Sequence, residues 1–190
     1  NPDVAKMYHD IASKDEIAPS KIEIELTESL MMDNKDRLLK AMNEIKNAGF
    51  SISVDDFGSG FSSLSLLKDL PANVIKLDKE FLNTQNTEKE HIIINSVINM
   101  AKNLDMATVA EGVEDAKQSA LLKKMGCDIV QGYFYAKPMP QNEFKELLDN
   151  PDNLGSEKKD DSADKNEKTE DKKATNINKQ AIIKSWFKFV

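Results

Sequence analysis

Two adjacent carboxylates, Asp55 and Asp56, close a short alternating run, Ser51-Ile52-Ser53-Val54, and precede Phe57-Gly58-Ser59-Gly60-Phe61-Ser62-Ser63-Leu64. Carboxylates held close together repel each other unless they are protonated or share a cation. The pair therefore poses the question of a divalent-metal site. On a flat strand the two side chains would point to opposite sides. For both to serve one site the chain must turn just there, and Gly58 and Gly60 permit such a turn. An isolated Asp-Asp is more often a pair of solvated loop residues. The remaining polar residues decide between the two readings.

Four more of them fall at comparable places. Glu25 lies near the end of the run Lys21-Ile22-Glu23-Ile24-Glu25-Leu26, and Lys76 lies late in Val74-Ile75-Lys76-Leu77-Asp78. Glu111 ends Ala107-Thr108-Val109-Ala110-Glu111, and Gln131 lies late in Asp128-Ile129-Val130-Gln131-Gly132-Tyr133. Each run reads as a strand, and each polar residue sits in its C-terminal part, where the loops of βα architectures form the active-site face. Any one of them alone reads as an exposed charge; their shared position reads as a site. Glu25, Asp55, Asp56 and Glu111 are hard oxygen donors suited to Mg²⁺ or Mn²⁺. No His/Cys cluster competes, and His9 and His91 fall in helical stretches as surface residues. Carboxylates with a lysine match two-metal phosphodiester hydrolysis, in which cations activate water, hold the phosphate and offset charge on the leaving oxygen. Lys76 could position that water, offset phosphate charge, or simply pair with Glu25 or Asp55. Nucleophilic serine or cysteine schemes find no support, since GxSxG is absent and Cys127 precedes the fifth strand. Asp56-Phe57-Gly58 matches the kinase metal triplet, but no HRD or VAIK accompanies it.

The elements that would carry these residues alternate regularly. Helices are expected over 1–20 (apolar at Val4, Met7, Tyr8 and Ile11, closed by Pro19), 34–48 (Leu38, Leu39, Met42 and Ile45, capped by Gly49) and 62–70, stopped by Pro71. Further helices are expected over 87–104, with Ile93, Val97, Met100 and Ala101 on the buried stripe, over 115–125 and over 141–148. Five βα units imply a parallel sheet covered by helices, either a barrel or a doubly wound sheet.

Composition is compatible with this and narrows the function. The chain has 190 residues, 39% of them apolar, and a net charge of −7. With a pI near 5.0, a DNA- or RNA-binding surface is excluded as the main business, while a nucleotide ligand remains open if cations neutralise its phosphates. One cysteine cannot form an internal disulfide and suits a reducing compartment. No apolar run is long enough to span a membrane. Residue 1 is Asn and no signal peptide is visible, so the chain is expected to start inside a longer protein. The mean hydropathy of −0.53 traces to a polar segment after Asn150. Residues 150–175 are dense in Lys, Asp and Glu and read as a disordered linker. Residues 176–190 regain Ile182, Ile183, Trp186, Phe187 and Phe189 among lysines. They read as a short basic amphipathic segment for a membrane surface or partner, or as the stub of a further fold.

The motifs also carry a family resemblance. Glu25-Leu26-Thr27-Glu28-Ser29, Asp55-Asp56-Phe57-Gly58-Ser59-Gly60, Ile75-Lys76-Leu77-Asp78, Ala110-Glu111-Gly112-Val113-Glu114 and Gln131-Gly132-Tyr133 with Lys137-Pro138-Met139 are similar to the EAL-domain family. That family comprises cyclic-di-GMP phosphodiesterases on a modified (β/α)₈ barrel, and the resemblance spans residues 1–149. It implies that Glu25, Asp55 and Asp56 are metal ligands for Mg²⁺ or Mn²⁺, with Asp55 bridging two ions and Ca²⁺ inhibitory. It gives Lys76 the attacking water and Glu111 a place beside it as base or outer ligand, with Gln131 completing the site. Glu28 would anchor loop 57–63, a region tied in the family to homodimerisation, while Asp78 and Glu114 would stand behind the site or near substrate. Ser59 replaces the commoner Thr and keeps the hydroxyl.

The implied reaction is hydrolysis of cyclic-di-GMP to linear pGpG in second-messenger signalling. The implied setting is the cytoplasm, or the cytoplasmic part of a membrane-anchored protein, with a sensor or GGDEF-type domain upstream. The alternative is an inactive EAL domain acting as a cyclic-di-GMP receptor or interaction module. The Glu-x-Leu signature and an Asn ligand belong upstream of Glu25 in the family and are not in this chain. The expected fold is thus the C-terminal five βα units of a modified (β/α)₈ TIM-like barrel, its N-terminal strands missing. Metal affinity and turnover should be lowered accordingly.

Overall fold

A computed structural model describes residues 4–27, 35–58, 67–82 and 88–150, and the structure below is confined to these. The two C-terminal segments expected at 150–175 and 176–190, Glu28, and most of the helix expected over 62–70 lie outside the described residues.

Among the described residues five strands form one sheet, β1 (Glu23–Thr27), β2 (Ser51–Phe57), β3 (Val74–Leu77), β4 (Ala107–Ala110) and β5 (Ile129–Val130). They lie side by side in chain order, and every neighbouring pair is parallel. Parallel neighbours need a crossover, and such crossovers are right-handed. With no reversal of strand order, successive crossovers all fall on one side of the sheet. This is the wall of a barrel; a doubly wound sheet would need a switch point. The helices are α1 (Val4–Lys14), α2 (Lys35–Asn47), α3 (Glu88–Asn103), α4 (Ala116–Met125) and α5 (Gln141–Asp149).

The helix-facing side of the sheet is apolar. Ile24, Ile52, Val54, Phe57, Ile75, Leu77, Ala110 and Val130 are buried there with Met42 and Ile45 of α2, Ile94 and Ile98 of α3, and Leu122 of α4. Local signals close the helices. Gly49 follows α2 at φ +91°, and Asp115 caps α4 in a reciprocal box with Gln118 before Gly126 ends it at φ +80°.

Several boundaries and phases differ from the sequence expectation. The first helix stops at Lys14, and Pro19 opens a separate 3₁₀ turn, Pro19–Lys21. Its packed residues are Val4, Ala5, Tyr8 and Ala12, whereas Met7 and Ile11 are exposed. Both rows have helical spacing, and only the neighbouring α2 selects one. In α3 the buried stripe is Ile94, Ile98 and Ala101, with the expected Val97 and Met100 packed at its edge, whereas the expected Ile93 is 51% exposed. Three successive isoleucines, Ile92 to Ile94, carry no phase of their own. Strand β5 is only two residues long. Asp128 is held outside it, its carboxylate accepting bonds from the Thr108 amide (2.9 Å) and hydroxyl (2.8 Å), and Gln131 and Tyr133 lie beyond its other end.

Candidate functional site

The opposite side of the sheet is where the polar residues fall. Parallel register sets Glu25 beside Ser53 and Thr27 beside Asp55. Val74 stands beside Ser53, and Lys76 beside Val109. Side chains alternate along a strand, so Glu25, Ser53, Asp55, Val74, Lys76 and Val109 share one face. Val74 and Val109 are buried yet stand outside the apolar cluster of the helix side, as that placement requires.

Between β2 and β3 the register slips. Val54 pairs with Ile75 and Phe57 with Leu77, so three steps along β2 match two along β3. The additional residue is accommodated at Asp56, whose φ is +54°. Aspartate is one of the few side chains that enters this left-handed region at modest cost. Both Asp55 and Asp56 thereby stand opposite the single residue Lys76. Sequence reasoning assigned the turn to Gly58 and Gly60 and ended the strand at Asp55. The structure makes the turn within the strand and continues it to Phe57. Gly58 follows at φ +96°.

Lys76 is the centre of the site. Its Nζ lies 2.8 Å from Glu25 Oε1, 2.9 Å from Asp55 Oδ1 and 2.8 Å from Glu111 Oε1. The side chains of Lys76 and Asp55 are only 5% and 4% exposed. Burial alone would lower the lysine's proton affinity; the hydrogen bonds to Glu111, Glu25 and Asp55 outweigh it and hold the ammonium well above the usual lysine range. Buried charge persists only when paired in this way. Glu111 is brought in by its amide, which donates to Leu77 O (3.0 Å). Gln131 follows β5, its amide donating to Ala110 O (2.8 Å) and its carbonyl accepting from Val113 N (3.0 Å).

Asp56 takes no part in the three ion pairs of Lys76. Asp78 caps the 3₁₀ turn Lys79–Phe81, accepting from Glu80 N at 2.7 Å. Glu114 is exposed, and its amide donates to Gln118 Oε1 at 2.7 Å. Cys127 is remote from this face; its thiol, pushed up by burial, donates to Ile129 O at 3.2 Å.

Whether this donor set suits a divalent cation can be judged from its chemistry. Three carboxylates surround one ammonium, an excess of negative charge on hard oxygen donors. Gln131 Oε1 and Ser53 Oγ are buried and make no hydrogen bond among the described residues. The donor types fit. The present arrangement is organised around Lys76, and among the described residues no three His, Cys, Asp or Glu side chains are gathered as a metal cage.

Comparison with known proteins places these observations. The family model described as EAL domain matches residues 1–138. The signaling protein YkoW of Bacillus subtilis is 39% identical over 147 residues, covering 77% of this chain and 18% of YkoW. The cyclic di-GMP phosphodiesterase NbdA of Pseudomonas aeruginosa is 36% identical over 133 residues, covering 70% of this chain and 17% of NbdA. Among solved structures, a manganese and cyclic-di-GMP complex of Klebsiella pneumoniae BlrP1 matches with a TM-score of 0.68 at 29% identity, over 73% of this chain and 36% of BlrP1. The chain thus spans less than a fifth of the length of these curated relatives. Among the described residues no helix is long and apolar enough to cross a membrane.

Proposed function

The chain belongs to the EAL-domain family, and we propose that its polar sheet face serves the hydrolysis of cyclic-di-GMP to linear pGpG. The observation that carries this reading is the cluster of Glu25, Asp55 and Glu111 around the buried Lys76 at the C-terminal ends of the parallel strands. A relative named as a cyclic di-GMP phosphodiesterase and a structure of a cyclic-di-GMP complex support the substrate.

In this reading Glu25, Asp55 and Asp56 would hold divalent metal, Mg²⁺ or Mn²⁺, and the side-chain oxygen Oε1 of Gln131 would be a further donor. Bound metal supplies Lewis-acid activation of water and neutralises phosphate charge. Lys76 is kept protonated by its partners, so it cannot be the base. It orients water and phosphate oxygen by donating hydrogen bonds. Glu111, already within hydrogen-bond reach of the ammonium, accepts the proton as water adds to phosphorus. The bond from phosphorus to the ribose 3′-oxygen breaks, and that oxygen takes up a proton. Asp78 and Glu114 act at a distance, by fixing the loops that follow β3 and β4.

The test is an assay of cyclic-di-GMP with Mg²⁺ or Mn²⁺, on this chain and on a form extended upstream, with products separated by chromatography. Formation of pGpG that Asp55→Asn removes is the expected result. Tight dinucleotide binding by the folded, extended protein without any product would transfer the site to a receptor.

A further inference from the structure

We infer that Phe81 is a positioning residue for Asp55 and Asp56, its ring acting as a wedge against the backbone of Gly58; this rests on the site reading proposed above. The observation is steric. A β-carbon built on Gly58 would collide with Cε2 and Cζ of Phe81, so the ring occupies the space that any larger residue would need. Gly58 lies two residues beyond the left-handed Asp56, at φ +96°, and among the described residues the pairing of β2 with β3 ends at Phe57 and Leu77.

The ring is itself fixed. Asp78 Oδ1 accepts from Glu80 N (2.7 Å), Phe81 N donates to Asp78 O (3.1 Å), and Leu82 N donates to Lys79 O (2.9 Å). Gln118, from the α4 capping box, donates to Leu82 O at 3.4 Å. Strand β3 therefore contributes twice. Lys76 pairs with Asp55 from the sheet, and five residues later Phe81 holds the chain that leaves the aspartates. The same close approach recurs along the rim, where a β-carbon on Gly112 would meet Lys79, and one on Gly132 the backbone of Val113. A half-buried aromatic in a loop could merely fill space over the core, and Phe81 does pack against it. The collision with Gly58 is what a core filler would not need.

The experiment uses the full chain with Phe81→Leu, Phe81→Ala and Gly58→Ala, alone and combined. Amide exchange of residues 55–58 and Mn²⁺ affinity by electron paramagnetic resonance are the readouts. The expected result is faster exchange at 55–58 with β1 and β4 unchanged, and a Mn²⁺ dissociation constant raised roughly tenfold or more. Gly58→Ala is expected to be less damaging in the Phe81→Ala background than in the parent. If Phe81→Ala unfolds the sheet, exchange in β4 rises too, and Phe81→Leu, which keeps apolar volume, decides. Exchange at 55–58 indifferent to Phe81, with Gly58→Ala equally harmful in both backgrounds, would overturn the inference. Failure of the parent chain to bind Mn²⁺ would count against the metal site alone, and exchange and the double mutant would then judge Phe81.

Discussion

The two faces of the sheet are both buried and are built on opposite principles. On the helix side Ile52, Val54, Ile75 and Leu77 are closed off by apolar neighbours, and each contributes by leaving water. On the other side Ser53, Asp55 and Lys76 are as deeply buried, and Asp55 and Lys76 are held there by ion pairing. An apolar face tolerates the loss of one member at the cost of a cavity. A buried charged face does not, because each removal strands the charges left behind. Stability is thus distributed on one side and concentrated on the other, where a reacting phosphate would need it.

The sharpest way to break that contrast is Lys76→Met. It leaves Glu25, Asp55 and Glu111 facing one another, and about 3–5 kcal/mol of stability should be lost in urea unfolding. Mn²⁺ should restore part of it. Ile75→Ala, its neighbour on the other face, should cost about 2–5 kcal/mol, with no response to Mn²⁺. Equal Mn²⁺ responses in the two variants would dissolve the distinction.

Alkaline pH sharpens it further. Lys76 has a folded-state proton affinity above its ordinary value of 10.5. Its contribution is therefore complete below about pH 10.5 and is lost as pH rises through the higher folded value. Unfolding midpoints of the parent and Lys76→Met should differ by a constant amount from neutrality to that point and then converge. The Ile75→Ala difference should stay flat.

Smaller effects are expected where the contrast does not reach. Asp115→Ala removes one half of the α4 capping box and should cost about 0.5–2 kcal/mol in thermal or urea unfolding. Cys127, whose thiol burial raises above its ordinary 9.0, should be alkylated slowly by iodoacetamide at neutral pH. Because the unfolded thiol ionises first, the folded state should lose a little stability as pH rises past that value.

How much of this was legible can be seen residue by residue. Glu25, Lys76 and Glu111 could be placed at one end of the sheet from strand alternation alone, since a period of two needs no neighbours to be read. A turn at Asp55–Asp56 could be required of the site, but not assigned to Asp56 itself. Its signal, an aspartate at positive φ, depends on pairing with β3, which no local pattern encodes. Ile93 was misplaced in α3 for the same kind of reason, because Ile92, Ile93 and Ile94 are interchangeable until a sheet is set beneath them, whereas Val97, Met100 and Ala101 do pack on the core. Phe81 and Gln118 attracted no notice, an aromatic and an amide in polar surroundings having many uses.

By itself the amino-acid sequence determined the order of βα units, the helix cap at Gly49, the family with its barrel fold, and the set of polar residues at the strand ends. These rest on local periodicity, single-residue backbone preferences and motif spacing, all of which act over a few positions. Only the tertiary structure decided that a bulge sets two aspartates against one lysine, and that Lys76 joins three carboxylates from three other segments. Those outcomes depend on register and burial between segments as far as 51 positions apart, as Glu25 and Lys76 are, and no short stretch of chain carries that information.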